Sequence, residues 1–209
     1  MNKTNDFDLI QKERNSIRKY DKATKIDHVT MEAILNEALH APSSFNMQPC
    51  RFVIVESDQW KEKIKPHIQF NQLQNSTSAA MIFILGDYQC IEFGPKIYQS
   101  AVDQGHMSQD AMNRQMKFLT EYYSQASRQI LKERILLDSG IFLMNLMLIA
   151  RKYGYDTCPI GAFNKQDIVE ILELDKERYF PVVILSIGRS DEKGHLSYRL
   201  PAKDLTFWR

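Results

Sequence analysis

An α/β domain spanning residues 1–209 is the architecture this chain predicts, and three observations carry it. Ala79–Gly86 is a continuous apolar run and Pro181–Gly188 one interrupted only by Ser186, both ending in glycine, the pattern of strands buried on both faces. Elsewhere the apolar spacing is helical, first at Val29, Met31, Ile34, Leu35, Ala38 and Leu39 and later from Ile135 to Ile149. A length of 209 residues with 44% apolar content supplies one full core and argues against disorder.

Taken in order, Phe7 to Lys12 reads as a short helix, followed by Glu13-Arg14-Asn15-Ser16-Ile17-Arg18-Lys19-Tyr20. Arg14 and Arg18 around Ser16 can cradle a phosphate, because guanidinium forks take its oxygens in pairs and a hydroxyl adds a donor. The same residues would serve equally as a solvated charged turn. The helix from about Val29 stops at His40 or Ala41, since Pro42 pushes its predecessor out of the helical basin. Ser43, Ser44, Asn46 and Gln48 then form a polar run beside Phe45 and Met47, before Pro49 and a strand at Phe52–Val55. An ordinary helix-to-strand connection uses such residues, but four hydrogen-bonding side chains next to two apolar ones also suit a flat, partly apolar ligand.

Trp60, Ile64 and Ile68 line a helix over about Ser57 to His67, and Phe70 to Asn75 follows as an amide-rich loop. Amides both donate and accept, which a surface loop tolerates and a ring with imide and carbonyl groups, such as isoalloxazine, requires. Cys90 to His106, broken by Phe93-Gly94-Pro95, shows no period and reads as a mobile flap. Ser108 to Phe118 and Tyr122 to Tyr153 read as helices, the second apolar almost all round. Such a helix needs cover on every side, from the sheet and a partner subunit or from a central place in one subunit. Gly154 ends it, Thr157 to Phe163 leads to a helix from Asn164, its cap, to Leu172, and Pro181–Gly188 is the third strand. A tail with Arg189, Arg199 and Lys203 before Leu205-Thr206-Phe207-Trp208-Arg209 could lie across a partner.

Net charge of +1, from 27 basic and 26 acidic residues, offers no nucleic-acid footprint and no electrostatic membrane anchor, so small molecules become the expected partners. Cys50, Cys90 and Cys158 are widely spaced, which argues against a disulfide framework or a structural zinc site. A first stretch without an apolar signal region and a longest uncharged run, Ser139 to Ala150, too short for a bilayer predict a soluble cytoplasmic protein. No dinucleotide or phosphate-loop glycine motif, His-Glu-x-x-His or Gly-x-Ser-x-Gly occurs, and the five histidines show no ligand spacing, so no metal is expected. Cys158 reads as a small core residue rather than a nucleophile. Scarce acid, base and nucleophile machinery favours chemistry supplied by a cofactor.

In order and spacing, Arg14 to Arg18, Ala41 to Pro49, Asn71 to Gln74 and Cys158 to Gly161 together resemble the FMN-dependent nitroreductase family over nearly the whole chain. The resemblance implies an α+β fold, a nitroreductase-like mixed sandwich with a central sheet flanked by helices, and an intertwined homodimer with composite FMN sites at its interface. It implies that Arg14, Asn15, Ser16, Arg18 and Arg199 hold the phosphate and ribityl chain, and that Asn71 and Gln74 meet the ring or ribityl from the same chain. Pro42, Ser43, Ser44 and Asn46 would come from the other subunit, while Pro159, Ile160 and Gly161 cover one ring face with a backbone N–H near Gly161 aimed at flavin N5. No side chain is assigned as catalytic. The reaction implied is ping-pong, with NADH or NADPH reducing FMN and a nitroaromatic, quinone or similar small molecule accepting the electrons. Cys50, Gly161 and Ser197 depart from residues common in the family, which leaves substrate choice open. Phe118, Tyr122 and Tyr123 are either core or the substrate side of the pocket. Rival readings are a flavin-binding, redox-responsive protein without enzymatic activity and a family branch using the flavin for dehalogenation or ring cleavage.

Overall fold

The computed structural model describes residues 3–209. Four strands, β1 (Cys50–Val55), β2 (Ala80–Asp87), β3 (Asp156–Ile160) and β4 (Tyr179–Gly188), pair antiparallel in the order β1-β2-β4-β3. β2 is buried at every residue, as its unbroken apolar run requires. Its side chains alternate between faces with period two. Ile82 and Ile84, with Leu185 and Ile187, pack under α2 (His28–Ala38) and α7 (Arg128–Lys152) through Met31, Ile34, Phe142 and Leu146. Met81, Phe83 and Leu85 face the other way, onto Ile64 and Ile68 and onto Ile168 and Val169 of α8 (Ile168–Ile171). The chain is therefore helix, sheet and helix in layers, the α+β arrangement expected.

β2 and β4 meet α7 at a place where only glycine fits. A Cβ on Gly86 would lie 2.4 Å from the Phe180 ring and 2.6 Å from Ile135 Cγ2. Gly86→Ala is expected to destabilise the fold by about 1–3 kcal/mol through overpacking, read from the midpoint of urea unfolding. An unchanged midpoint would show that Phe180 swings aside freely.

Several elements differ from the sequence reading, each for an identifiable reason. β3 is absent from that reading because Pro159 looks like a breaker, yet β3 is a sheet edge, where a missing N–H is tolerated. The amide-rich stretch is not a loop but mostly α4 (Gln72–Thr77), whose Gln74, Asn75 and Thr77 are buried by tertiary packing. In place of a flap, residues 90–106 hold a short 3-10 turn and α5 (Gly94–Asp103), in which Pro95 occupies the first turn, the one helical place that suits it. α6 (Gln109–Gln125) runs past Phe118, and α7 starts only at Arg128, because Ser127 accepts a hydrogen bond from Ile130 N and Ala126 is extended. Asn164 caps no helix; its side chain bonds Gln166 N and Asp167 in a turn, and α8 covers only Ile168–Ile171. α1 (Phe7–Lys12) and α3 (Asp58–Ile64) lie where expected.

Candidate functional site

Residues 14–18 run along the open edge of β3, where Ser16 bridges Thr157 and Ile17 N donates to Thr157 O at 3.1 Å. Arg14 is half-buried, and Ser16 and Arg18 are exposed. Among the described residues neither guanidinium makes a hydrogen bond or ion pair, and the nearby carboxylates are occupied: Glu13 faces Arg151 at 3.6 Å, while Glu192 accepts the backbone N–H groups of Arg18 and Lys19. Asn71 joins the same corner by donating to Ala162 O at 3.2 Å and accepting from Gln74 Nε2 at 3.2 Å. Burial pushes the Cys158 thiol up, and Gln74, Arg18 and Ser16 hold it partly back. A Cβ built on Gly161 would meet nothing within 4 Å, so the loop after β3 borders open space. The sequence-predicted Arg14, Asn15, Ser16, Arg18, Asn71, Gln74, Pro159, Ile160 and Gly161 thus share one corner of the sheet. Arg199 does not join them in this chain; its side chain bonds only the adjacent Tyr198 O.

The Pro42–Asn46 loop is built differently from its polar appearance. Phe45, Asn46 and Gln48 have φ of 54°, 56° and 47°, left-handed values that cost non-glycine residues about 1–2 kcal/mol each. Asp138 of α7, only 4% exposed, supports them by accepting from Ser44 N at 3.1 Å through both oxygens and from Ser44 Oγ at 3.0 Å. Ser43 Oγ accepts from Gln48 N at 3.0 Å, and Tyr98 OH donates to Phe45 O at 3.0 Å. The Ser44 hydroxyl therefore donates within the loop's own support, while the Ser43 hydroxyl accepts there and keeps its O–H to donate. Pro42, Phe45 and Asn46 are the exposed residues, and Asn46 keeps its amide N–H groups free while Oδ1 takes Gln48 Nε2 at 3.3 Å. Asp138 and Tyr98 are contributors that sequence reasoning missed. A lone carboxylate between Leu137 and Ile141 in an otherwise apolar run is the signal that marks Asp138.

Sheet register places these two corners far apart. Cys158 pairs with Ser186, Ser186 with Met81 and Met81 with Val55, so the 14–18 segment is level with the last residue of β1. The loop enters at Cys50, the first. Four strand spacings, from β1 to the 14–18 segment outside β3, give about 19 Å and five residues of strand about 17 Å, so the corners are diagonal and roughly 25 Å apart.

A model of the nitroreductase family matches residues 12–189. The chain belongs to the nitroreductase family. A Bacillus subtilis relative, YdgI, described as a candidate NAD(P)H nitroreductase, is 46% identical over 209 residues and covers 100% of both chains. A crystal structure described as a candidate NAD(P)H:FMN oxidoreductase from Staphylococcus epidermidis superposes with a TM-score of 0.98 at 39% identity, covering 100% of this chain and 98% of that one. Another, a candidate nitroreductase from Exiguobacterium sibiricum in complex with FMN, gives a TM-score of 0.96 at 43% identity and 99% coverage of each chain.

In this nitroreductase-family chain the cysteines are structural. Cys50, Cys90 and Cys158 are buried and free, and burial raises each thiol above its ordinary value, Cys90 to about 11. Native protein at pH 8 is expected to leave all three unmodified by an aromatic disulfide reagent until denaturant is added; rapid labelling of the native state would contradict this. Among the described residues no cluster of His, Cys, Asp or Glu could hold a metal, and no helix is long and apolar enough to cross a membrane.

Proposed function

We propose that this chain is an FMN-dependent NAD(P)H oxidoreductase working as a homodimer with composite sites. The observation that carries this is the β3 corner, where two guanidinium groups without an ion-pair partner among the described residues flank an exposed serine beside Asn71, Gln74 and the open Gly161 loop. That donor set fits FMN: Arg14, Arg18 and Ser16 suit a terminal phosphate dianion, and Gln74, oriented by Asn71 and keeping one N–H and its carbonyl unbonded among the described residues, suits the carbonyl and imide edge of the ring. Bound FMN would supply the redox chemistry, accepting electrons from NADH or NADPH and passing them, after the nicotinamide leaves, to a nitroaromatic, quinone or related acceptor. The protein's own part is to bind and orient the flavin and to wall off one ring face with Pro159, Ile160 and Gly161.

The second subunit supplies what this corner lacks. Ile130, Leu137, Ile141 and Met144 of α7 are 49%, 64%, 40% and 40% exposed and recur at helical spacing, an apolar stripe that supports association with a second copy. The diagonal distance between corners supports a site that draws Pro42, Ser43, Ser44 and Asn46 from the partner, with Arg199 of the tail also reaching across.

The purified protein is expected to carry FMN, identified by the mass of the released cofactor, and its flavin absorbance should bleach on anaerobic addition of NADH or NADPH. FAD in place of FMN, or no flavin after reconstitution with excess FMN, would overturn the reading. Arg14→Ala is expected to weaken FMN binding by about 2–4 kcal/mol, the cost of removing one partner from a desolvated charge-assisted pair. Titration at wild-type affinity would return Arg14 to a mere surface charge.

A further inference from the structure

A cation beside the Phe45 loop has no ion-pair partner among the described residues. Arg134 of α7 lays its guanidinium 4.5 Å from the Tyr122 ring centroid and 5.1 Å from that of Phe45. Those rings pack with each other at 6.2 Å and with Phe118 at 6.3 and 6.0 Å, so the cation borders an aromatic wall. Its Nη1 is buried without a hydrogen-bond partner, while the residue as a whole is only half-buried. Nε and Nη2 bond no atom of this subunit among the described residues, so that edge of the fork is left unsatisfied within it. Asp138, one turn further along α7, makes no ion pair with Arg134 and points its oxygens at Ser44 N and Oγ.

Stacking on aromatic faces fixes the plane of a guanidinium but satisfies none of its in-plane donors. The group that satisfies a planar fork is a planar bidentate acceptor, and a carboxylate is the best match. From this arrangement we infer that Arg134 selects the acceptor substrate, holding the carboxylate of an aromatic or conjugated acid whose flat body lies on Phe45, Phe118 and Tyr122. The inference rests on the proposed function, which puts the Phe45 loop beside the flavin ring of the partner's site. Acidic acceptors are then preferred to neutral ones of the same shape.

The test uses the FMN-loaded protein with 4-nitrobenzoate and its neutral methyl ester. Wild type should show a kcat/KM about tenfold or more higher for the acid, the discrimination expected from a hydrogen-bonded charged pair. Arg134→Met should lose that preference through KM for the acid while leaving the ester within about twofold, and Arg134→Lys, with a charge but no planar fork, should fall between. A second readout needs no turnover: calorimetric titration with benzoate and benzamide should show benzoate favoured in wild type and not in Arg134→Met, with FMN content and melting temperature unchanged. Equal use of acid and ester by wild type, or a parallel fall for both in Arg134→Met, would overturn the assignment. Protein that fails to bind FMN or to accept electrons from either nicotinamide would instead defeat the proposed function, and the benzoate titration would still decide the role of Arg134.

Discussion

Two inactive variants, Arg14→Glu and Asn46→Trp, are expected to regain reductase activity when their subunits are exchanged. Arg14→Glu opposes the phosphate with a like charge, and Asn46→Trp fills the ring's space from an exposed position of the loop. Asn46 is the better target than Ser44, whose hydroxyl and N–H are anchored on Asp138. In a mixed dimer one site collects both defects, whereas the other joins an intact Arg14 to an intact loop. Full exchange of an equal mixture makes half the dimers mixed, with one good site in each, so about a quarter of the wild-type activity should return. Mixed dimers that form, shown by differential tagging, yet recover neither FMN nor activity would place both segments in one subunit's site or the site elsewhere.

The two halves of this site differ in how far the chain alone reveals them. Arg14, Ser16, Arg18, Asn71 and Gln74 are readable as a group because folding brings them to one corner of the sheet, where Gln74 bonds Asn71 and Ser16 and Arg18 stay exposed. The Ser43–Ser44 half is read less fully, because a hydroxyl shows its capacity to bond but not its direction, and Asp138, ninety-four residues beyond Ser44, accepts the Ser44 hydroxyl. A similar limit hides β3: Pro159 is a breaker by local rules, and only the pairing of β3 with β4 alone makes it acceptable at an edge. Strands β2 and β4 and helix α2 were legible because burial and period agree within each segment. The split between α6 and α7 rests on one serine cap inside a run that otherwise stays helical.

Asp138→Ala is the second large effect expected. It strips a buried carboxylate from Ser44 N and Ser44 Oγ, and hydrogen bonds to a charged acceptor contribute about 1.5–3 kcal/mol apiece at most. Stability should fall by about 2–4 kcal/mol in urea unfolding, since an orphaned N–H remains beside the cavity. Phe45, Asn46 and Gln48 should then leave their left-handed conformations more readily, because only the bonds from Gln48 N to Ser43 Oγ and from Tyr98 OH to Phe45 O remain to offset that strain. FMN affinity is expected to drop about tenfold although Asp138 is not among the proposed flavin ligands, with Asp138→Asn intermediate because its carbonyl retains one acceptor. Unaltered FMN affinity in a destabilised Asp138→Ala protein would separate the loop from the cofactor site.

The diagonal placement of the two corners also makes cofactor retention and quaternary assembly a single equilibrium on the proposed arrangement. A flavin gripped by both chains tightens their association by some factor, and by thermodynamic reciprocity association tightens the flavin by that same factor. Holoprotein diluted below its dimerisation constant would shed FMN, and free FMN would in turn pull dilute monomers together by mass action. The protein's own abundance then regulates how much of it is charged with cofactor.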